Sequence, residues 1–342
     1  MVGDRRLHMQ FVARSDYSPR MHAIRIGETG GPQVMSFEEV DEPTAVADNI
    51  VVTVGAAGVN YIDTYHRSGL YDMPLPFTPG LEGSGTVSAV GSDVSQWSVG
   101  DKVAWTGAIG SYAEQVAMPA ASAVAVPAGV SDDVAAAAML QGLTAHYLVD
   151  STYALQQGDK CVVHAAAGGV GLLLVQMAKM RGAEVFATVG TDEKAELARG
   201  AGADHVIMYR HVDFAEAIED IAGPNAIDVV YDGVGATTFD GGLRVLRRRG
   251  VMATFGNASG PVPAITPIIA SAGKSLFVTR PSLFDYLAEP GELQTRADEM
   301  FGWIAAGVLD VRIGLELPLA SAVEAHKLLE GRQTTGKVLL RP

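Results

Sequence analysis

A single cysteine, Cys161, stands in a chain of 342 residues. One thiol cannot make an intrachain disulfide, and it excludes a structural zinc lobe built on four thiolates; Cys161 itself is expected in a buried strand. Basic residues are also scarce, with 25 Lys and Arg against 39 Asp and Glu and a net charge of -14. A surface of that sign repels phosphodiester backbones and anionic membranes, which disfavours both as general partners. Aromatic residues make up only 7%, so aliphatic and small side chains carry the core, as in an α/β protein with a parallel sheet. No secretory leader is visible, because Arg5 and Arg6 are followed by Gln10, Arg14 and Asp16 rather than by an apolar run, and cytoplasmic residence is expected. The charge-free stretch Cys161 to Ala178 approaches the length of a membrane span, but His164 and three glycines interrupt it. Internal repeats and low-complexity linkers are missing as well. The length suits two closely joined domains with a ligand cleft between them.

The most informative segment present is His164-Ala-Ala-Ala-Gly-Gly-Val-Gly171. Val162 and Val163 read as the end of a buried strand, and the glycines from Gly168 open an apolar helix through Leu174 and Met177. Glycines at such a turn let the backbone approach a dinucleotide pyrophosphate, and the helix N-terminus favours its charge. Ala166 stands where a G-x-G-x-x-G pattern would have its first glycine, with Gly168 and Gly171 at the right spacing. A second strand, Glu184 to Val189, ends about 20 residues on, where an NAD enzyme places an acidic residue on the ribose. This chain has Gly190 there. Without a carboxylate a 2'-phosphate is not repelled, and Lys194 can pair with it, so NADPH is expected over NADH. The alternative is that Gly168, Gly169 and Gly171 only permit tight helix-sheet packing and that Lys194 is a solvated lysine.

From Met21 to about Ala125 short strands are punctuated by glycine and proline: His22 to Ile26, Ile50 to Val54, Gly85 to Val90, Lys102 to Trp105 and Tyr112 to Val116. This reads as an irregular antiparallel β-domain. Strand then alternates with helix: Cys161 to His164, Glu184 to Val189, His205 to Met208, Val229 to Asp232, Val251 to Phe255 and Leu276 to Val278. That alternation predicts a doubly wound, six-stranded parallel sheet. Helices follow at Glu292 to Ala306 and Ala322 to Glu330, and an apolar tail, Lys337 to Leu340, is expected to return to the first domain. The expected division is an extension over 1–20, a first domain over 21–143, a nucleotide domain over 144–282 and a return over 283–342.

The order of these parts resembles the medium-chain dehydrogenase/reductase superfamily, with a GroES-like domain before a Rossmann domain. Within it, Asn60-Tyr-Ile-Asp-Thr-Tyr-His-Arg-Ser-Gly-Leu-Tyr71, the glycine turn, Phe255-Gly-Asn-Ala-Ser-Gly260 and Val278-Thr-Arg-Pro-Ser282 are similar to segments of the zinc-free NADPH:quinone oxidoreductases related to zeta-crystallin. Zinc-dependent members carry ligands where this chain has Asn60, Leu81 and a residue near Leu140, none of them suited to Zn²⁺. A metal-free reaction is therefore expected. Alcohol oxidation needs a Lewis acid, whereas a quinone accepts hydride without one. His66, His146 and His164 show no ligand spacing and read as ordinary polar or packing residues.

The resemblance implies a role for each matching position. Gly168, Gly169, Val170 and Gly171 would face the pyrophosphate, and Lys194, Tyr209 and Arg332 would surround the 2'-phosphate. Gly233, where close relatives commonly have serine, would line the cofactor by its backbone. Phe255, Gly256 and Asn257 would line the nicotinamide end, with Thr279 and Arg280 turned to its carboxamide. Asn60, Tyr65 and Tyr71 would form the opposite wall, an aromatic slot with one amide for a flat carbonyl compound, while Asp63 caps or pairs locally. The structural alternatives are strand-end packing for Tyr209, a helix C-terminal charge for Arg332, a buried strand meeting a turn for Phe255-Gly256, and core packing for Tyr65 and Tyr71. Hydride would pass to a quinone stacked in the cleft, with protonation left to water. Two rivals stay open: an NADPH-dependent reductase of alkenals, enones or enoyl thioesters, and a non-catalytic NADPH-binding structural or RNA-binding protein. A homodimer is expected because relatives commonly join the edges of their nucleotide-domain sheets.

Overall fold

The computed structural model describes residues 19–262, 264, 266 and 273–342; most of the expected extension over 1–20 lies outside them. Two sheets organise the chain. The first is built on β3 (Asn49–Val59), whose early half pairs with β6 (Gln115–Pro119) and whose end pairs with β15 (Lys337–Arg341). Along its other edge runs β4 (Glu82–Val90), followed by β5 (Lys102–Thr106) and β7 (Ala123–Ala125). The outer strand on the β15 side is β14 (Ile313–Pro318). A separate hairpin-like pair, β1 (Arg20–Ile26) with β2 (Met35–Asp41), covers one side.

The second sheet is parallel throughout. It comprises β8 (Lys160–Val163), β9 (Glu184–Val189), β10 (His205–Met208), β11 (Ile227–Asp232), β12 (Leu246–Thr254) and β13 (Phe277–Thr279), in the spatial order β10-β9-β8-β11-β12-β13. The order reverses direction at β8, and in such a sheet the crevice for a ligand lies beyond the carboxyl end of the strand at that reversal. Cys161 is buried in β8. The intervening helices are α3 (Gly169–Met180), α4 (Asp192–Gly200), α5 (Phe214–Ala222) and α6 (Phe239–Val245). The alternating pattern located the strands of this sheet to within two residues, because buried parallel strands are short apolar runs bounded by turns, except that β12 begins at Leu246, ahead of the expected Val251, with the polar run Arg247 to Gly250 masking its first half.

Helix α2 (Asp132–Tyr147) joins the two halves. Ser131 opens it by accepting the Val134 N–H. Four consecutive alanines, Ala135 to Ala138, are fully buried, and their small size lets the helix lie directly on the first sheet, with Ala136 and Ala137 against Ala56 and Leu339. Its later half packs on α3. The expected division at 143 therefore falls inside one continuous helix. After β13 come α7 (Glu292–Ala305) and α8 (Ala322–Glu330) before β15 closes the first sheet, lying between β14 and β3.

Two strand expectations shift. Tyr112 precedes β6 instead of starting it, because its ring is buried and its hydroxyl is bound to Asp63, while Ala113 pairs singly with Ala23. The strand expected at Leu276 to Val278 lies one residue later. Among the described residues no helix is long and apolar enough to cross a membrane, and the stretch from Cys161 is strand, turn and helix.

Leu339 is fully buried at the junction of β15, β3 and α2. Leu339→Ala is expected to cost about 2–5 kcal/mol, read as a lowered urea midpoint, whereas Leu75→Ala at an exposed site should leave the midpoint nearly unchanged.

Candidate active site

Between the two sheets lies a cavity of about 960 Å³. One end is the turn after β8. Ala165 takes a left-handed conformation (φ 51°), and α3 starts at Gly169 with Gly168 as its cap. A Cβ on Gly171 would come within 2.4 Å of the Ala165 carbonyl oxygen and 2.7 Å of Ala166 Cα, so only glycine lets helix and turn pack this closely. The segment from Arg332 to Gly336 closes against the turn from the other half. The Gly336 N–H donates to the Ala167 carbonyl (3.1 Å), and Arg332 is held at φ 57°, a strained conformation outside glycine.

Cations gather at the end of β9. Lys194 Nζ donates to the Arg332 carbonyl (2.7 Å). Burial pushes the Lys194 ammonium below its ordinary value, and the nearby charges of Arg210 and Arg332 lower it further. Among the described residues none of these three cations has a carboxylate in salt-bridge contact. A Cβ on Gly190 would lie 2.6 Å from Tyr209 Oη, so no side chain, acidic or otherwise, fits there without displacing the tyrosine. Arg210 was missed in the sequence because it sits beside Tyr209 in a turn with no pattern of its own.

Deeper in the cleft, the Asp232 carboxylate accepts the Val234 and Gly235 N–H groups (2.7 and 3.1 Å) and fixes the turn carrying Gly233. A Cβ on Gly256 would strike the Gly233 carbonyl at 2.3 Å, which presses the ends of β11 and β12 together. His164 donates to or accepts from Thr188 Oγ1 (2.8 Å) through Nδ1, and its buried Nε2 has no partner.

The opposite wall comes from α1 (Tyr61–Ser68) and the turn after it. The Tyr65 and Tyr71 rings meet edge to face at 5.3 Å. Tyr65 Oη accepts the Asn257 N–H (2.8 Å), and Tyr71 Oη accepts from Arg280 Nη2 (3.0 Å). Each phenol thus takes its bond from the nucleotide half and keeps its own proton for another acceptor. Burial pushes Tyr65 up to about 12 while the Asn257 N–H pulls it back, so it stays protonated at neutral pH.

Of the sequence-predicted residues, Asn60, Tyr65, Tyr71, Gly168, Gly169, Val170, Gly171, Gly190, Lys194, Tyr209, Gly233, Phe255, Gly256, Arg280 and Arg332 line this one cavity. Asn257 and Thr279 are not part of the lining, although Asn257 bonds Tyr65, which is. Gln141, Thr144 and Tyr147 of α2 also line it; their alanine-rich helix showed no functional pattern in the sequence.

Asn60 differs from its expected use as an amide for a substrate carbonyl. Its Nδ2 donates to Glu82 Oε2 (2.8 Å) and to the Gly58 carbonyl (3.2 Å), and its Oδ1 accepts from Lys337 Nζ (2.8 Å). Both N–H bonds are spent because Glu82 is fully buried and requires donors. Glu82 also pairs with Lys337 and accepts the Leu140 N–H (2.7 Å). Asn60 and Glu82 thus converge on a lysine ammonium, with the Leu140 N–H on the other carboxylate oxygen; burial pulls that ammonium below its ordinary value while the Glu82 charge opposes the shift. Elsewhere His146, Asp150 and Glu299 bring ligand atoms within 4.8 Å of one another. His146 Nε2 already meets Glu299 (2.9 Å) and Asp150 (3.3 Å), Arg181 pairs with Asp150, and Arg296 approaches His146 Nδ1.

Comparison with known proteins agrees with this geometry. Residues 46–128 match the alcohol dehydrogenase GroES-like domain and residues 169–287 the zinc-binding dehydrogenase domain. A quinone oxidoreductase of Pseudomonas aeruginosa is 42% identical over 93% of this chain and 99% of its own. The chain belongs to the quinone oxidoreductase family. The crystal structure of the Escherichia coli quinone oxidoreductase complexed with NADPH superimposes with a TM-score of 0.92 at 42% identity, covering 94% of this chain and all of that one. Within the same circle of relatives, a 2-haloacrylate reductase of a Burkholderia species is 38% identical over 94% of this chain and 98% of its own.

Asp63 in this family member carries a testable charge. Burial pushes its carboxyl up to about 7, against bonds from the Asn60 N–H and the Tyr112 hydroxyl. Between its ordinary value of 3.8 and about 7 the folded protein keeps a proton that the unfolded chain has released. Its contribution to stability therefore falls as pH rises through that window. Urea unfolding at about pH 5 and about pH 8 should show a smaller loss in Asp63→Asn than in the wild type; an equal loss would count against this titration.

Proposed function

We propose that the protein reduces quinones with NADPH in the cleft between its two halves, without a metal, as a cytoplasmic homodimer joined along the exposed edge strand β13. The observation that carries this reading is the continuity of one cavity from the cations around Gly190 to the paired tyrosines of α1 and the turn after it. The donor chemistry fits the coenzyme. Gly168, Gly169, Val170 and Gly171 present a helix N-terminus to the pyrophosphate, and Lys194, Arg210, Arg332 and Tyr209 surround a 2'-phosphate for which Gly190 leaves room. Gly233, Phe255 and Gly256 form the floor at the nicotinamide end, with Asn257 behind them holding Tyr65, and Arg280 stands beside the carboxamide. Bound there, NADPH supplies the hydride.

The residues of this chain do the remaining work. Tyr65 and Tyr71, held by Asn257 and Arg280, direct their phenolic protons towards an acceptor oxygen and stabilise charge that develops on it. The aromatic wall holds a flat ring in place and excludes water, so that positioning supplies much of the rate. Lys337 and Glu82 hold Asn60 and with it the start of α1. Because no strong general acid faces the slot, the reduced product takes its last proton from water. The domain division that suits this reading assigns 21–143 and 283–342 to the substrate side and 144–282 to the coenzyme.

Lys194→Ala should raise the KM for NADPH by about tenfold or more, the size of one charged hydrogen bond, with little change for NADH in steady-state assays; equal effects would remove Lys194 from the phosphate site. Tyr71→Phe should lower kcat/KM for a quinone by roughly tenfold at unchanged NADPH affinity, and full activity in that variant would argue against the phenol as a donor. A second reading, reduction of a conjugated C=C bond, draws support from the likeness to the 2-haloacrylate reductase. Comparing rates for 1,2-naphthoquinone, 9,10-phenanthrenequinone, an alkenal and crotonyl-CoA separates the two.

A further inference from the structure

His66 lies in the last turn of α1, next to Tyr65, and lines the cavity with its ring 6.2 Å from that of Tyr71. It is only 8% exposed, its Nδ1 is shielded and without a partner, and among the described residues its Nε2 has no hydrogen-bonding partner either. On this wall and the adjoining face of α2 the Asn60 amide and one hydroxyl are committed, while the Gln141 side chain, which also lines the cavity, makes no hydrogen bond among the described residues. Asn60 has both N–H bonds on Glu82 and Gly58, and Thr144 Oγ1 donates to the Leu140 carbonyl. The phenols of Tyr65 and Tyr71 each keep one proton.

The helix turn that carries the imidazole is fixed in place. Its neighbour Arg67 is anchored to Glu330, His326 and the Gly30 carbonyl, and Gly69 ends the helix in a left-handed turn (φ 80°). Burial lowers the ring below its ordinary value, so it is neutral at pH 7 and offers one N–H donor and one lone pair. Nδ1 is shielded, so Nε2 is the ring nitrogen open to the cavity and the one that a substrate oxygen meets there. We propose that His66 is a specificity-determining residue that hydrogen-bonds a second oxygen of the acceptor, so that the slot favours rings bearing two carbonyl oxygens over compounds bearing one. The proposal rests on the reading of this slot as the quinone site. A simple alkenal can meet a tyrosine proton but has nothing for the imidazole, and a site built around such a bond discriminates against ligands that lack it.

The test compares kcat/KM for 9,10-phenanthrenequinone and for a simple alkenal in wild type, His66→Leu and His66→Gln. His66→Leu should lower the quinone-to-alkenal ratio by roughly 3- to 10-fold with the NADPH KM unchanged, and His66→Gln, which keeps a donor, should preserve most of it. The wild-type protein gives an independent readout: the His66 imidazole ¹⁵N resonances should move on adding the quinone to the coenzyme complex and stay in place on adding the alkenal. A ratio unmoved by His66→Leu, or resonances indifferent to the quinone, overturns the assignment of His66. A wild type that ignores quinones altogether overturns the functional reading beneath it.

Discussion

The buried ion pair between Lys337 and Glu82 is the constraint on which the catalytic half depends. The two side chains are 1% and 0% exposed, and each comes from a different strand, one of them the last in the chain. Around them the Asn60 amide fixes the entry to α1, and the Leu140 N–H ties α2 to the same carboxylate. Removing either charge would strand the other in a low-dielectric interior, a change that typically costs about 3–5 kcal/mol. The pair therefore does more to specify the arrangement than to add net stability, since burying two ions is itself expensive. It also bears on the character of the substrate wall: with the Asn60 amide consumed, α1 and the turn after it offer a ligand phenols and an imidazole, and α2 adds Gln141.

A second level of organisation follows from where the sheet order reverses. The glycine turn after β8 lies at that reversal, and the neighbouring strand ends supply Gly190, Gly233 and Gly256 to the same crevice. These glycines serve different physical needs. Gly171 and Gly256 permit backbone to approach backbone, whereas Gly190 leaves space in front of Tyr209. Cations that meet no carboxylate in salt-bridge contact among the described residues, in a protein carrying -14 overall, mark the same place electrostatically.

Much of this was legible before any coordinates. The parallel sheet could be read because its strands are short apolar runs between turn residues, and the coenzyme turn because its glycines are sequential. The first sheet was harder. β2 (Met35–Asp41) is largely exposed and polar, so it shows no buried alternation, and β14 was passed over although Ile313, Leu315 and Leu317 alternate with more exposed residues. The site residues that escaped notice are those whose role arises from long-range contact. Nothing local distinguishes Lys337 from any lysine near a chain end, and Gln141 and Thr144 lie in a helix whose uniformly apolar neighbours suggest only packing. Asn60 was seen but its use was not, since its partners are 22 and 277 residues away.

The return of the chain after α8 also bears on folding. Arg332 to Gly336 completes the rim of the coenzyme groove, and the strand that follows inserts between β14 and β3. A folding chain in which these residues have not yet docked has neither the finished rim nor the ammonium that neutralises Glu82. Completion of the coenzyme groove is therefore coupled to the docking of β15, and a chain in which that strand is out of place has an unsealed sheet and an interior carboxylate without its counter-ion.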